Sequence, residues 1–209
     1  TVSTQPVLAG AVSGSDHTVA TLGVDRTVRL WDGDTGKKIK ELPKHADLGF
    51  GLAFSKDGQV LASGAGFNVT LWDPATGRQL ARFEPYAPPN AAAFMPDGKG
   101  LALACGGATV LIVDAETGKT LHSFESGAFG SISIAASANG KAIASGGMNE
   151  RIMIWNVAAP TAASGLTGHV KWPTAVAFSP DGRFLASGGQ DRSVRLWDAV
   201  QGRSVVMLT

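Results

Sequence analysis

Short runs with the period of a half-buried strand recur along this chain. The clearest is SVRLW at 193–197, where apolar and polar positions alternate and β-branched and aromatic residues dominate. Between such runs stand Asp-Gly and Thr-Gly pairs, which supply the positive φ that tight hairpin turns need. No window sustains a stripe of 3.6-residue period, so essentially no helix is expected. The final stretch predicts four strands, near 174–178, 184–188, 193–197 and 204–208. Turns at Ser179–Gly182, Gln190–Arg192 and Ala199–Gly202 separate them.

That four-strand pattern repeats. DRTVRLWDGDTG at 25–36 returns almost unchanged as DRSVRLWDAVQG at 191–202. Trp31-Asp32, Trp72-Asp73, Val113-Asp114, Trp155-Asn156 and Trp197-Asp198 succeed one another at steps of 41, 41, 42 and 42 residues. LAFSKDG at 52–58, AAFMPDG at 92–98, IAASANG at 134–140 and VAFSPDG at 176–182 keep the same register. Five copies therefore fill residues 1–209 as one domain, at about 1–43, 44–84, 85–126, 127–168 and 169–209. One four-stranded sheet of this length cannot bury both faces alone, so copies must stack. Small residues mark the first strands (Ala91-Ala92-Ala93, Ala135-Ala136, Ala175, Ala177), as expected where sheets converge on an axis.

Phrase, order and period together make the whole chain resemble the WD40 repeat family. The resemblance implies an all-β fold, a β-propeller of four-stranded antiparallel blades, one per repeat. It also implies a hydrogen-bonded group of His, Ser or Thr, Asp and Trp in each repeat. The fifth repeat carries the full set, His169, Ser187, Asp191 and Trp197. The second has His45, Ser63 and Trp72, but its turn is one residue short and lacks the Asp. The first keeps Thr21, Asp25 and Trp31, and the fourth Ser145, Asn149 and Trp155. The third has Leu103, Gly107 and Val113 and is expected to rely on apolar packing. The family implies seven or eight blades. Five in-register copies therefore fit part of a larger propeller, a closed five-blade ring, or an open arc completed by a second copy. The absence of an initiator Met before Thr1 favours the first, with further repeats of a parent chain completing the ring.

A formal charge of +1, with no like-charge run, gives no field to draw the chain to nucleic acid or an acidic membrane. No apolar stretch reaches the roughly 20 residues that span a bilayer. No signal peptide is read, and a cytoplasmic location is expected. Cys105 stands alone, and His17, His45, His122 and His169 show no metal-ligand spacing, so no metal and no cofactor are expected. His169, Ser187 and Asp191 also spell a hydrolase triad, but no strand–elbow–helix surrounds a nucleophile, and the structural network is the expectation. TGKT at 117–120 imitates the tail of a phosphate loop, yet Val113 stands where its first Gly belongs. Asp57, Asp97 and Asp181 each open an Asp-Gly turn, which is their expected role.

The copies differ most in the segments before their first strands, HADLGFG 45–51, PYAPPNA 85–91, GAFGSIS 127–133 and HVKWPTA 169–175. Phe50, Tyr86, Phe129 and Trp172 fall there, with Lys171, Gln190 and Arg192 near the last. Aromatic side chains and Arg dominate binding hot spots. The expected function is a non-catalytic scaffold that binds a protein or peptide through this loop face and the channel mouth. The alternatives are a ligand-binding or catalytic propeller using Asp47, Asn90 and Gln190, and a purely structural assembly module of a larger signalling protein.

Overall fold

The computed structural model describes residues 6–127 and 130–209, and among them there are only strands and turns, with no helix. Blade one holds β1 (Val7–Val12), β2 (Thr18–Gly23), β3 (Val28–Asp32) and β4 (Lys38–Glu41). Blade two holds β5 (Gly49–Phe54), β6 (Leu61–Ala65), β7 (Asn68–Trp72) and β8 (Gln79–Phe83). Blade three holds β9 (Pro89–Phe94), β10 (Gly100–Cys105), β11 (Thr109–Asp114) and β12 (Thr120–Glu125). Blade four holds β13 (Ser131–Ala136), β14 (Ala142–Gly147), β15 (Arg151–Asn156) and β16 (Ala159–Thr167). Blade five holds β17 (Pro173–Phe178), β18 (Phe184–Gly189), β19 (Val194–Asp198) and β20 (Arg203–Leu208), close to the runs read from the sequence. Every sheet is an antiparallel meander in chain order, built from one uninterrupted stretch.

The ladder register puts one chemistry on each side of a blade. In blade five, Ala177, Ala186, Leu196 and Val206 form one cross-strand row, and Ala175, Gly188, Val194 and Leu208 the next row on the same face. Val176, Ser187, Arg195 and Met207 form a row on the opposite face. The two sides of each middle strand separate because successive side chains alternate.

First strands line the inner side of the assembly: β1 packs against β5, β5 against β9, β9 against β13, and β13 against β17. Their small residues follow from that convergence. A Cβ placed on Gly51 of β5 would lie 3.1 Å from Ala91 Cα of β9. Farther out, one apolar cluster fills each gap between neighbours. Leu22, Val28 and Leu30 of blade one meet Leu52, Leu61 and Trp72 of blade two. Val69 and Leu71 meet Leu101, Leu103 and Val113. Val110, Ile112 and Phe124 meet Ile134, Ile143 and Trp155. Ile152, Ile154 and Leu166 meet Leu185 and Trp197.

Among the described residues, no strands of the first and fifth blades pack to a comparable extent, so the succession of contacts does not return to its start. Burial reflects this. The middle strands β10 and β11 of blade three are almost wholly buried, whereas β18 and β19 of blade five are only partly buried.

A bulge opens each first strand. Pairing shifts by one residue across Leu8, Phe50, Asn90, Ile132 and Thr174, leaving each outside the regular ladder. Phe50 is thereby placed within β5 and not in the loop before it, a correction to the sequence reading. The two flanking glycines, Gly49 and Gly51, let the strand start earlier than the aromatic residue suggested.

Candidate functional site

Blade five assembles its polar group around one serine. Trp197 Nε1 donates to Ser187 Oγ at 2.8 Å, and Ser187 Oγ lies 2.7 Å from His169 Nε2. His169 Nδ1 lies 2.9 Å from Asp191 Oδ2. A single proton assignment satisfies every member: the indole N–H donates to the serine oxygen, the serine hydroxyl donates to Nε2, and Nδ1–H donates to the carboxylate. Asp191 also accepts from the Val170 and Ser193 backbone N–H groups, at 3.1 and 3.2 Å. Burial raises its pKa, but the hydrogen bonds from His169, Ser193 and the backbone outweigh that and hold the carboxyl well below the usual range.

The Ser–His–Asp distances match those of a nucleophilic triad, but the surroundings do not. Ser187 is buried, and its oxygen is already occupied by the tryptophan N–H. A nucleophile needs an open side from which a substrate carbonyl can approach. Here the group ties the loop before β17 to β18, the β18–β19 turn and β19.

The other blades hold fragments of this group. In blade one Trp31 Nε1 donates to Thr21 Oγ1 at 2.7 Å, while Asp25 takes the Arg29 guanidinium, with Nη1 at 3.2 Å. The Arg29 hydrogen bond lowers the Asp25 pKa. In blade two Trp72 Nε1 donates to Ser63 Oγ at 2.7 Å, but Ser63 turns its own hydroxyl to the Thr70 carbonyl, 3.4 Å away. His45 stands edge-on to Trp72 with ring centres 5.9 Å apart, and its buried Nε2 has no hydrogen-bond partner among the described residues. Burial and then the Arg82 charge lower the His45 pKa. In blade four Ser145 lies 3.3 Å from Ser131, and Asn149 donates to the Ser126 carbonyl at 3.0 Å.

At the opposite chemical extreme, the loop face presents apolar surface to water. Leu48, Phe50, Phe67, Tyr86, Met148, Val170 and Trp172 are all exposed. Phe50 and Phe67 flank an open groove of about 630 Å³, lined also by Val24, Arg26, Asp47 and Leu48. Phe67 occupies the shortened β6–β7 turn, Leu48 the segment before β5 and Phe50 the bulge at the start of β5, so the groove runs from a turn to the edge of a strand. Tyr86 is held separately, with its hydroxyl 2.7 Å from Ser123 Oγ on the outer strand β12. Trp172 is fixed through its backbone, whose carbonyl accepts the Gln190 N–H at 2.9 Å. Lys171, Gln190 and Arg192 are exposed beside it. Phe129 lies outside the described residues. Sequence reading passed over Leu48, Phe67 and Val170 as site residues; a signal was available in the apolar letters placed where turn residues belong.

The Asn90 side chain donates across to the Ser131 carbonyl of the next blade at 2.9 Å. Among the described residues, no three His, Cys, Asp or Glu side chains gather as a metal site. The recurring turn carboxylates brace their own turns: Asp57 accepts from Ser55 Oγ at 2.6 Å and from the Gln59 N–H at 3.1 Å. TGKT closes a hairpin in which Asp114 accepts from the Thr117 N–H at 2.8 Å. Burial pushes the Cys105 thiol up to about 12, which leaves it protonated and unreactive in the folded chain.

No curated protein matches this chain. The family model for the WD domain, G-beta repeat (WD40) matches residues 36–73, 118–156 and 161–198. Each matched window begins near the outer strand of one blade and ends on the third strand of the next, so the unit of sequence and the unit of structure are offset by one strand. The windows end on Trp72-Asp73, Trp155-Asn156 and Trp197-Asp198, and they leave out β9–β11, where Val113 replaces the tryptophan. With more than half its length matched and five four-stranded blades in succession, the chain belongs to the WD40 repeat family.

Proposed function

We propose that this chain is a non-catalytic docking platform that holds a protein or peptide on its loop face. WD40 domains commonly mediate protein interactions. One observation carries the reading furthest: large apolar side chains stand exposed on the connections and at the start of β5, around the open groove between Phe50 and Phe67. Burying such rings is worth roughly 1.5–3 kcal/mol each, which is enough to anchor an apolar residue of a partner. Arg26 and Asp47 at the groove, and Lys171 and Arg192 near Trp172, supply a polar rim of the kind that fixes register. The fully buried Ser187 supports the non-catalytic part.

The test is partner capture by the intact chain compared with Phe50→Ser combined with Phe67→Ser, and with Lys171→Glu combined with Trp172→Ala. Both pairs should lower capture at least tenfold while leaving the thermal transition within a few degrees of the parent. Unchanged capture by both would exclude this face.

A further inference from the structure

Blade two carries three of the four residues that make up the polar group of blade five, and its turn lacks the fourth, a carboxylate. His45, Ser63 and Trp72 correspond to His169, Ser187 and Trp197, while the turn that would hold the counterpart of Asp191 reads Gly66-Phe67. In blade five the serine sits at His169 Nε2 and the carboxylate at Nδ1. The matching ring in blade two is only half engaged. Nε2 of His45 is buried without a partner among the described residues, and Ser63 directs its hydroxyl along a 3.4 Å bond to the Thr70 carbonyl.

A pocket of about 80 Å³ lies against that ring, lined by Lys44, His45, Asn68, Thr70 and Arg82. Thr70 is buried, whereas Lys44 and Arg82 are exposed, and neither cation makes an ion pair among the described residues. Arg82 is oriented by Asn68, whose Oδ1 accepts its Nε–H at 2.9 Å. Asp47 is the one acid on the wall, and it makes no ion pair with His45. Its carboxylate lies toward Gly66 instead, where an added Cβ would stand 2.7 Å from Oδ2. Two cations and a histidine against one carboxylate leave the pocket suited to an anion.

We propose that this pocket binds the carboxylate of an acidic side chain from a bound polypeptide, which takes the place that Asp191 holds in blade five. The carboxylate accepts from His45 Nδ1–H and pairs with Arg82 and Lys44. With the proton fixed on Nδ1, Nε2 becomes an acceptor, and the Ser63 hydroxyl turns to it as Ser187 does to His169. That a polypeptide supplies the acid rests on the docking reading above: the pocket and the Phe50–Phe67 groove share Ala46 and Asp47, so one segment reaches both. The pocket is also far smaller than the roughly 300–1,000 Å³ of sites that enclose a free drug-sized molecule.

Acetate is the probe for the pocket, followed by NMR of the His45 ring in the full chain. A saturable shift in the millimolar range is expected, with a rise in the His45 pKa, because an adjacent negative charge favours the protonated ring. Acetamide should produce neither. Arg82→Gln should weaken acetate by about fivefold or more, whereas Arg82→Lys, which keeps the charge, should retain most of the binding. Asp47→Asn should tighten acetate by removing the one opposing charge. N-acetyl-Phe-Glu-amide should bind about tenfold more tightly than acetate, and N-acetyl-Phe-Gln-amide should lose that gain. Phe50→Ser combined with Phe67→Ser should leave acetate binding intact and remove only the gain of the peptide, so a failure of the groove and a failure of the pocket read differently. No acetate-dependent shift at His45, or an equal one with acetamide, overturns the proposal. So does a His45 pKa that falls in Asp47→Asn with no response to acetate, which would make Asp47 the ring's own carboxylate. A Glu peptide that binds no more tightly than acetate overturns the polypeptide as the source of the acid.

Discussion

Blade five and blade three share strand order and register yet hold themselves together by opposite means. The positions of His169, Ser187, Asp191 and Trp197 in blade five correspond to Pro85, Leu103, Gly107 and Val113 in blade three. A directional chain of hydrogen bonds in the first is replaced by buried hydrocarbon in the second, where Leu101, Leu103, Leu111 and Val113 are all fully buried. Neither solution is half-made, and that is the instructive point. Polar groups are costly inside a protein only when some lack partners. Blade three removed every member together, whereas blade two kept the histidine, lost the aspartate, and is left with an unsatisfied ring nitrogen.

The contrast can be broken most strongly from the apolar side. Leu103→Ala should cost about 2–5 kcal/mol through lost transfer energy and a residual cavity. It should also speed modification of the Cys105 thiol, which lies in the same cluster, and urea melts followed by both signals would show this. Asp191→Ala should cost about 2–3 kcal/mol, because the buried His169 ring, the Ser193 hydroxyl and two backbone N–H groups lose their acceptor. It should affect Cys105 labelling less. A thiol that reacts equally fast in both variants would mean that the blades do not open independently.

A double-mutant cycle tests whether the polar solution is a unit. Val113→Trp alone should destabilise by about 1–3 kcal/mol, from overpacking and an indole N–H with no acceptor. Adding Leu103→Ser should recover about 1 kcal/mol of coupling energy, by analogy with Trp72 and Ser63. Strict additivity would refute that analogy.

Acid should discriminate the histidine of blade two from the aspartate of blade five. His45 has a folded pKa below its ordinary 6.5, so the unfolded chain binds the extra proton first. Stability falls as pH drops below about 6.5, and His45→Gln should flatten that limb of a melting-temperature profile. The Asp191 contribution is complete above the unfolded carboxyl pKa of about 3.9 and is lost only at lower pH. The smallest effect is conformational. Ala108 turns blade three at a φ of 62°, a region that costs an ordinary side chain about 1 kcal/mol. Ala108→Gly should therefore stabilise by about 0.5–1 kcal/mol in the same melts.

The architecture was legible because its signals repeat. Alternation in SVRLW, the Asp-Gly turns and the recurrent Trp each predicted a strand or turn that recurs in every copy, and the five sheets follow them closely. The exposed groove was harder to read. Phe50 is displaced into β5 by a bulge, and Phe67 stands exposed in the turn that is a residue short. Both are departures from the average copy, and a pattern that averages over copies suppresses departures. Side-chain direction at Tyr86 was also invisible, since its anchor Ser123 lies 37 residues away on another strand.

Among the described residues, every sheet is spun from a single unbroken stretch of polypeptide, with no strand lent by a distant segment. Genetic exchange between equivalent points of two copies would therefore insert or delete one entire unit without severing any ladder. Such a molecule can grow or shrink in whole increments, each newcomer needing to match only the unit beside it.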